Sequence, residues 1–119
     1  MNVDEYELEV EGISVDETKV LSLDDLKRLF PKYSIYSVVQ CAGNRRESFN
    51  EIKEVKGIAW AGGAIGNAKW SGAKLLDVLK YCGADLNDNR IKHVQFEGLD
   101  LDATSTPYGA SVPSDKVSF

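Results

Sequence analysis

The chain has 119 residues, with 19 acidic against 14 basic side chains, a net charge of −5, one His and two Cys. The length is that of one ordinary domain, and an apolar content of 43% excludes a disordered or low-complexity chain. The acidic balance argues against nucleic acid or an anionic membrane surface as a partner, and no apolar run approaches the ~18 residues of a membrane span.

Residues 1–11 are acidic, which is unlike a signal or transit peptide. Within them Tyr6, Leu8 and Val10 alternate with glutamates, the pattern of a half-buried strand that Gly12 ends. A second short strand is expected within residues 13–20, around a polar turn. Ser22 then caps a helix whose first turn carries Asp24 and Asp25. Leu23, Leu26 and Phe30 form its apolar stripe, and Pro31 stops it.

Residues 34–40 (SIYSVVQ) read as a strand running into the turn chemistry of Ala42-Gly43-Asn44, which places Cys41 at the strand's end. Residues 61–72 (AGGAIGNAKWSG) carry four glycines and read as a loop. This stretch lacks the Gly-Lys-Ser/Thr ending of a phosphate loop, and Ala61 stands where a dinucleotide fingerprint needs its first glycine. A second helix is expected over residues 73–82, with Leu75, Leu79 and Cys82 on one face and Gly83 ending it. Residues 94–97 read as a strand and residues 98–108 as a loop rich in Asp, Ser and Thr. A further strand or turn starts at Gly109. Short strands mixed with two short helices, without strict alternation, point to an α+β fold.

Cys41 and Cys82 make no CxxC pair; two unpaired thiols is the default, with one disulfide left open. His93 is the only histidine and reads as structural, which argues against a Ser/His/Asp site. Cys82, on an apolar helix face, reads as core. Cys41 lies four and five residues before Arg45 and Arg46, and nearby guanidinium groups favour the thiolate, a nucleophile and soft metal ligand. The arginine pair also suits a tetrahedral oxyanion. On spacing alone, a second buried cysteine beside exposed arginines is the somewhat stronger reading.

Five segments carry a resemblance: QCAGNRR (40–46), VKGIAW (55–60), GAIGNAKWSGAKL (63–75), FEGLD (96–100) and YGASVP (108–113). In this order they resemble the molybdenum-cofactor domain of the sulfite oxidase family, through nearly the whole chain. CAGNRR is specific to the superfamily of sulfite oxidases and assimilatory nitrate reductases, and the KG-x-x-W and FEGLD segments are closer to the former. The resemblance implies that Cys41 is the thiolate ligand of molybdenum beside the dithiolene of a pterin. It implies that Arg46 and Trp60 line the pocket for sulfite or sulfate, and that Asp100 hydrogen-bonds the pterin. Arg45 has no assigned role.

The implied activity is molybdenum-dependent oxidation of sulfite to sulfate by oxygen-atom transfer, with electrons leaving to cytochrome c or oxygen. The alternatives are a nitrate reductase-type molybdoenzyme, or a non-catalytic scaffold that keeps the fold. Family members also carry an upstream Arg-Asn-His segment, a downstream active-site Tyr with further cofactor-holding residues, and a β-sandwich dimerisation domain. Animal forms add a haem domain. The 119 residues are therefore expected to be the N-terminal to central portion of a molybdopterin-binding domain, inactive alone and with bare apolar strand surface. The full-length form is expected to be a homodimer, mitochondrial (intermembrane space) if from an animal.

Overall fold

The computed structural model describes residues 2–117. In chain order the elements are β1 (Glu7–Val10), β2 (Lys19–Ser22), α1 (Leu23–Leu29), β3 (Tyr33–Gln40), α2 (Arg46–Asn50), β4 (Ile65–Gly72), α3 (Leu75–Tyr81), β5 (His93–Leu101), β6 (Pro107–Pro113) and α4 (Ser114–Val117). The strands pair as three antiparallel hairpins, β1–β2, β3–β4 and β5–β6. The fold class is α+β. None of the described helices is long and apolar enough to cross a membrane.

The chain divides into two compact units. The first comprises Met1–Lys32 and Ala73–Phe119. Its β1 and β2 pair with Leu8 opposite Leu21, so the apolar residues share a face. The chain leaves β1 through Gly12, at φ +130, and β2 takes up the end of the segment expected to hold a second strand. Ser22 caps α1 in both directions: its hydroxyl accepts the Asp25 N–H at 3.1 Å, and the Asp25 carboxylate accepts the Ser22 N–H at 3.1 Å. These bonds hold the Asp25 carboxyl below its ordinary value, the Ser22 side chain contributing most.

Leu21, Phe30, Val78 and Cys82 form the buried cluster, with Leu8, Val10, Leu26 and Ala73 against it. Phe30 meets Tyr81 edge to face, their centroids 5.4 Å apart. Val78, rather than the expected Leu75, joins Leu79 and Cys82 on the buried side of α3; Leu75 begins the helix and stays exposed. Gly83 ends α3 at φ +93, as its position suggests. After it, Asp88 accepts from Ser14 and from the Arg90 guanidinium, which above all holds its carboxyl far below the usual carboxylate range.

β5 does not stop at Glu97. It continues to Leu101, with a register shift between Glu97 and Leu101 in its pairing with β6. The expected loop over residues 98–108 thus shrinks to the Asp102–Thr106 turn, where Asp102 accepts from the N–H groups of Thr104 and Thr106. Gly98 lets the strand bulge rather than end. His93 opens β5, opposite Pro113, and is exposed.

The second unit, Tyr33–Gly72, is the β3–β4 hairpin and its long connection. Here the expectation of a glycine loop over residues 61–72 fails: Ile65–Gly72 pair residue for residue with β3, from Gln40 opposite Ile65 to Tyr33 opposite Gly72. Gly66 and Gly72 have open space where a Cβ would stand, so neither glycine is required by geometry, and pairing outweighs their weak strand preference. Gly63, at φ +101, supplies the turn before the strand. One face of the hairpin presents Ile35, Trp70 and Val39; the other presents Tyr36, Val38 and Ile65. All six are exposed. Apolar residues on both faces are the pattern of strands covered from both sides.

Candidate functional site

The site grows from the open end of the β3–β4 hairpin. Past Gln40 the ladder continues irregularly: Cys41 N–H donates to the Ala64 carbonyl, Arg45 N–H to Ala61 and Glu47 N–H to Trp60, each at 3.0 Å. The Asn44 side chain accepts the Ala64 N–H at 3.0 Å. These bonds tie the CAGNRR turn to the 60–64 segment, and so bring residues 41, 46 and 60 together from 19 positions of sequence. Arg45 takes a left-handed backbone (φ 62, ψ 26) and turns the chain into α2, a five-residue helix with no side-chain cap. No periodicity in the sequence announces such a helix.

Cys41 is exposed, so it is not a second core cysteine, and both thiols are free. Its Sγ accepts the Gly43 N–H at 3.4 Å. Among the described residues neither arginine hydrogen-bonds this sulfur. Instead Arg46 Nη1 donates to the Ile58 carbonyl at 2.8 Å. None of the ion pairs of the described residues involves Arg45 or Arg46, a notable vacancy of counter-charge in a chain of net charge −5. Trp60 is half exposed, at 47%. A Cβ built on the buried Gly43 would lie 2.8 Å from Arg46 Nη2 and 2.9 Å from Trp60 Cδ1, so Gly43 lies against both side chains while its N–H faces the thiol.

Cys41, Arg46 and Trp60 therefore share one neighbourhood. Asp100 stands on β5 in the other unit, exposed, with its carboxylate against the bulge glycine: a Cβ on Gly98 would lie 2.8 Å from Oδ1.

The family model for the oxidoreductase molybdopterin binding domain matches residues 1–118. The chain belongs to this family. It is 51% identical to the mitochondrial sulfite oxidase of Drosophila melanogaster over 98% of its own length and 19% of that protein's. It is 34% identical to the NADH nitrate reductase of Hordeum vulgare, over 90% of this chain and 12% of the other. Among solved structures, the sulfane dehydrogenase SoxCD of Paracoccus pantotrophus superposes with a TM-score of 0.70 at 26% identity, covering 98% of this chain and 28% of that one. The chain thus spans about a fifth of the length of the curated relative it matches at 51%.

The residues present fit the family's cofactor. Among the described residues no three His, Cys, Asp or Glu side chains converge to hold a bare metal ion. A single exposed cysteine sulfur suits a metal that brings most of its donors with it, as a dithiolene does, and sulfur is the donor type such a soft, sulfur-rich centre takes. Arg46, without an ion pair among the described residues, suits an oxyanion.

The two cysteines differ in a way a thiol reagent reads directly. Cys82 is 2% exposed and burial pushes its thiol up, which suppresses the reactive thiolate. One thiol per chain should react with a small disulfide reagent in native buffer, and the second only in denaturant. Two fast native thiols would contradict the burial of Cys82.

Proposed function

We propose that this chain supplies the metal-ligating thiolate and one wall of the anion pocket in a sulfite oxidase, as the N-terminal to central portion of a molybdopterin-binding domain in a longer protein. One cluster carries the reading: the exposed Cys41, Trp60 and Arg46, which has no ion pair among the described residues, gathered around Gly43. The two-sided apolar hairpin supports the placement within a larger domain. The higher identity to a sulfite oxidase than to a nitrate reductase favours sulfite as substrate.

In this reading the molybdenum cofactor, when bound, supplies the oxygen-atom transfer and accepts the two electrons. Cys41 holds it through sulfur, with the Gly43 N–H directed at that sulfur. Arg46 offers Nε and Nη2 to the substrate oxygens while Nη1 stays on Ile58. Trp60 shapes the pocket and keeps water from one side of it. Asp100 takes a hydrogen bond from the pterin. Cytochrome c or oxygen takes the electrons, a haem domain serves only if the longer protein has one, and the whole acts as a homodimer, in the mitochondrial intermembrane space if the source is an animal.

The test uses a protein of the relatives' length that carries these residues, made in a host that synthesises the cofactor. Molybdenum near one per chain with sulfite-dependent electron transfer is expected, together with little metal on the 119 residues alone. Nitrate reduction in place of sulfite oxidation would replace the substrate assignment. A folded protein without molybdenum would point to a scaffold.

A further inference from the structure

Most glycines here either take a positive φ or stand in open space, where nothing requires a glycine. Gly43 does neither. Its backbone lies outside the left-handed region, yet a Cβ would fall 2.8 Å from Arg46 Nη2, 3.0 Å from Arg46 Cζ and 2.9 Å from Trp60 Cδ1. Gly57 meets the same guanidinium from another position: a Cβ there would lie 2.5 Å from Nη1 and 3.0 Å from Cζ. Its successor Ile58 accepts from Nη1. Two missing side chains and one carbonyl therefore define where the guanidinium lies. Among the described residues Nε and Nη2 have no protein acceptor, so the side-on edge of the fork keeps its donors.

We propose that Gly43 and Gly57 are positioning residues that form a slot for the Arg46 guanidinium and so set the affinity of the site for a tetrahedral oxyanion. The proposal rests on Arg46 being the anion-binding residue. The atoms a new methyl would strike at either glycine include the far end of a flexible side chain. At Gly43 the arginine yields before the backbone does, and the cost falls on the aim of the fork; at Gly57 a φ of +110 adds a backbone strain of its own. Bidentate recognition depends on that aim, because a planar guanidinium matches two oxygens only in a narrow range of orientations. The Gly43 N–H survives substitution by alanine, so the contact to Cys41 Sγ is retained.

The experiment is a double-mutant cycle in the full-length holoenzyme: Gly43→Ala, Arg46→Lys and the pair, each with molybdenum content, the KM and kcat for sulfite, and the inhibition constant for sulfate. Gly43→Ala should raise both the KM and the sulfate constant about tenfold, as expected for partial loss of a charge-assisted contact, with kcat changed by less than about threefold. In the Arg46→Lys background, where no fork occupies the slot, the same substitution should have a several-fold smaller effect on either constant, leaving only what its contact with Trp60 Cδ1 causes. An effect of equal size in both backgrounds, or constants that do not move with Gly43→Ala, overturns the slot. If Arg46→Lys itself leaves both constants unchanged, the anion-binding role of Arg46 falls, and the slot with it. Where Gly43→Ala does not accumulate as holoenzyme, the cycle is run on Gly57→Ala, where φ +110 adds a backbone cost common to both backgrounds; the slot then requires an effect several-fold larger with Arg46 present than with lysine, and equal effects overturn it.

Discussion

Cys41→Ser should reduce sulfite oxidation by more than about 100-fold in the complete enzyme, beyond the 10–100-fold typical of losing a residue that merely supports a metal ligand. The substitution changes one atom. Cys41 is exposed at the end of β3, so no core packing is lost, and a serine oxygen can accept the Gly43 N–H that now reaches Sγ. What changes is the donor: a hard, basic alkoxide replaces a soft thiolate that shares electron density with the metal. The pterin, gripped by groups spread over the rest of the domain, should remain largely bound. Turnover, molybdenum and pterin content measured together separate the outcomes. Near-normal turnover would remove Cys41 as the ligand. Lost turnover with lost pterin would make it an anchor rather than a tuning ligand.

The parts of the fold legible in the sequence are those whose cause is local. Ser22 with Asp25, Pro31 after Phe30, and Gly83 after α3 fix helix ends through contacts within a few residues, and each behaves as its chemistry suggests. β4 was illegible because its cause is distant. Its glycines argue locally for a loop, and only pairing with β3, some thirty residues earlier, makes it a strand. Gly98 misled in a similar way, since a glycine that ends a strand and one that bulges it look alike until the partner strand is known. The site divides along the same line. The CAGNRR turn and the later tryptophan carry chemistry that residue types and resemblance can suggest. The packing of Gly43 and Gly57 against one guanidinium depends on which atoms fill the space of an absent Cβ, and spacing says nothing of that.

Arg46→Gln should raise the KM for sulfite by about 10- to 150-fold, the equivalent of the ~1.5–3 kcal/mol carried by a hydrogen bond to a charged group. Arg46 has no carboxylate to neutralise it among the described residues, so its charge is available to a doubly negative anion rather than spent within the protein. Glutamine retains a donor but loses both the charge and the fork, and therefore the bidentate match. Sulfite and sulfate share that charge, so the inhibition constant for sulfate should rise in parallel with KM, whereas an arginine that served only to hold the loop through the Ile58 carbonyl would lower thermal stability and leave both constants in place. Trp60→Phe offers the internal comparison. It keeps an aromatic wall, carries no charge, and touches the site through the same Gly43 surface, so its effect on KM should be several-fold smaller. A Trp60→Phe effect as large as that of Arg46→Gln would mean that pocket shape, rather than positive charge, selects the anion.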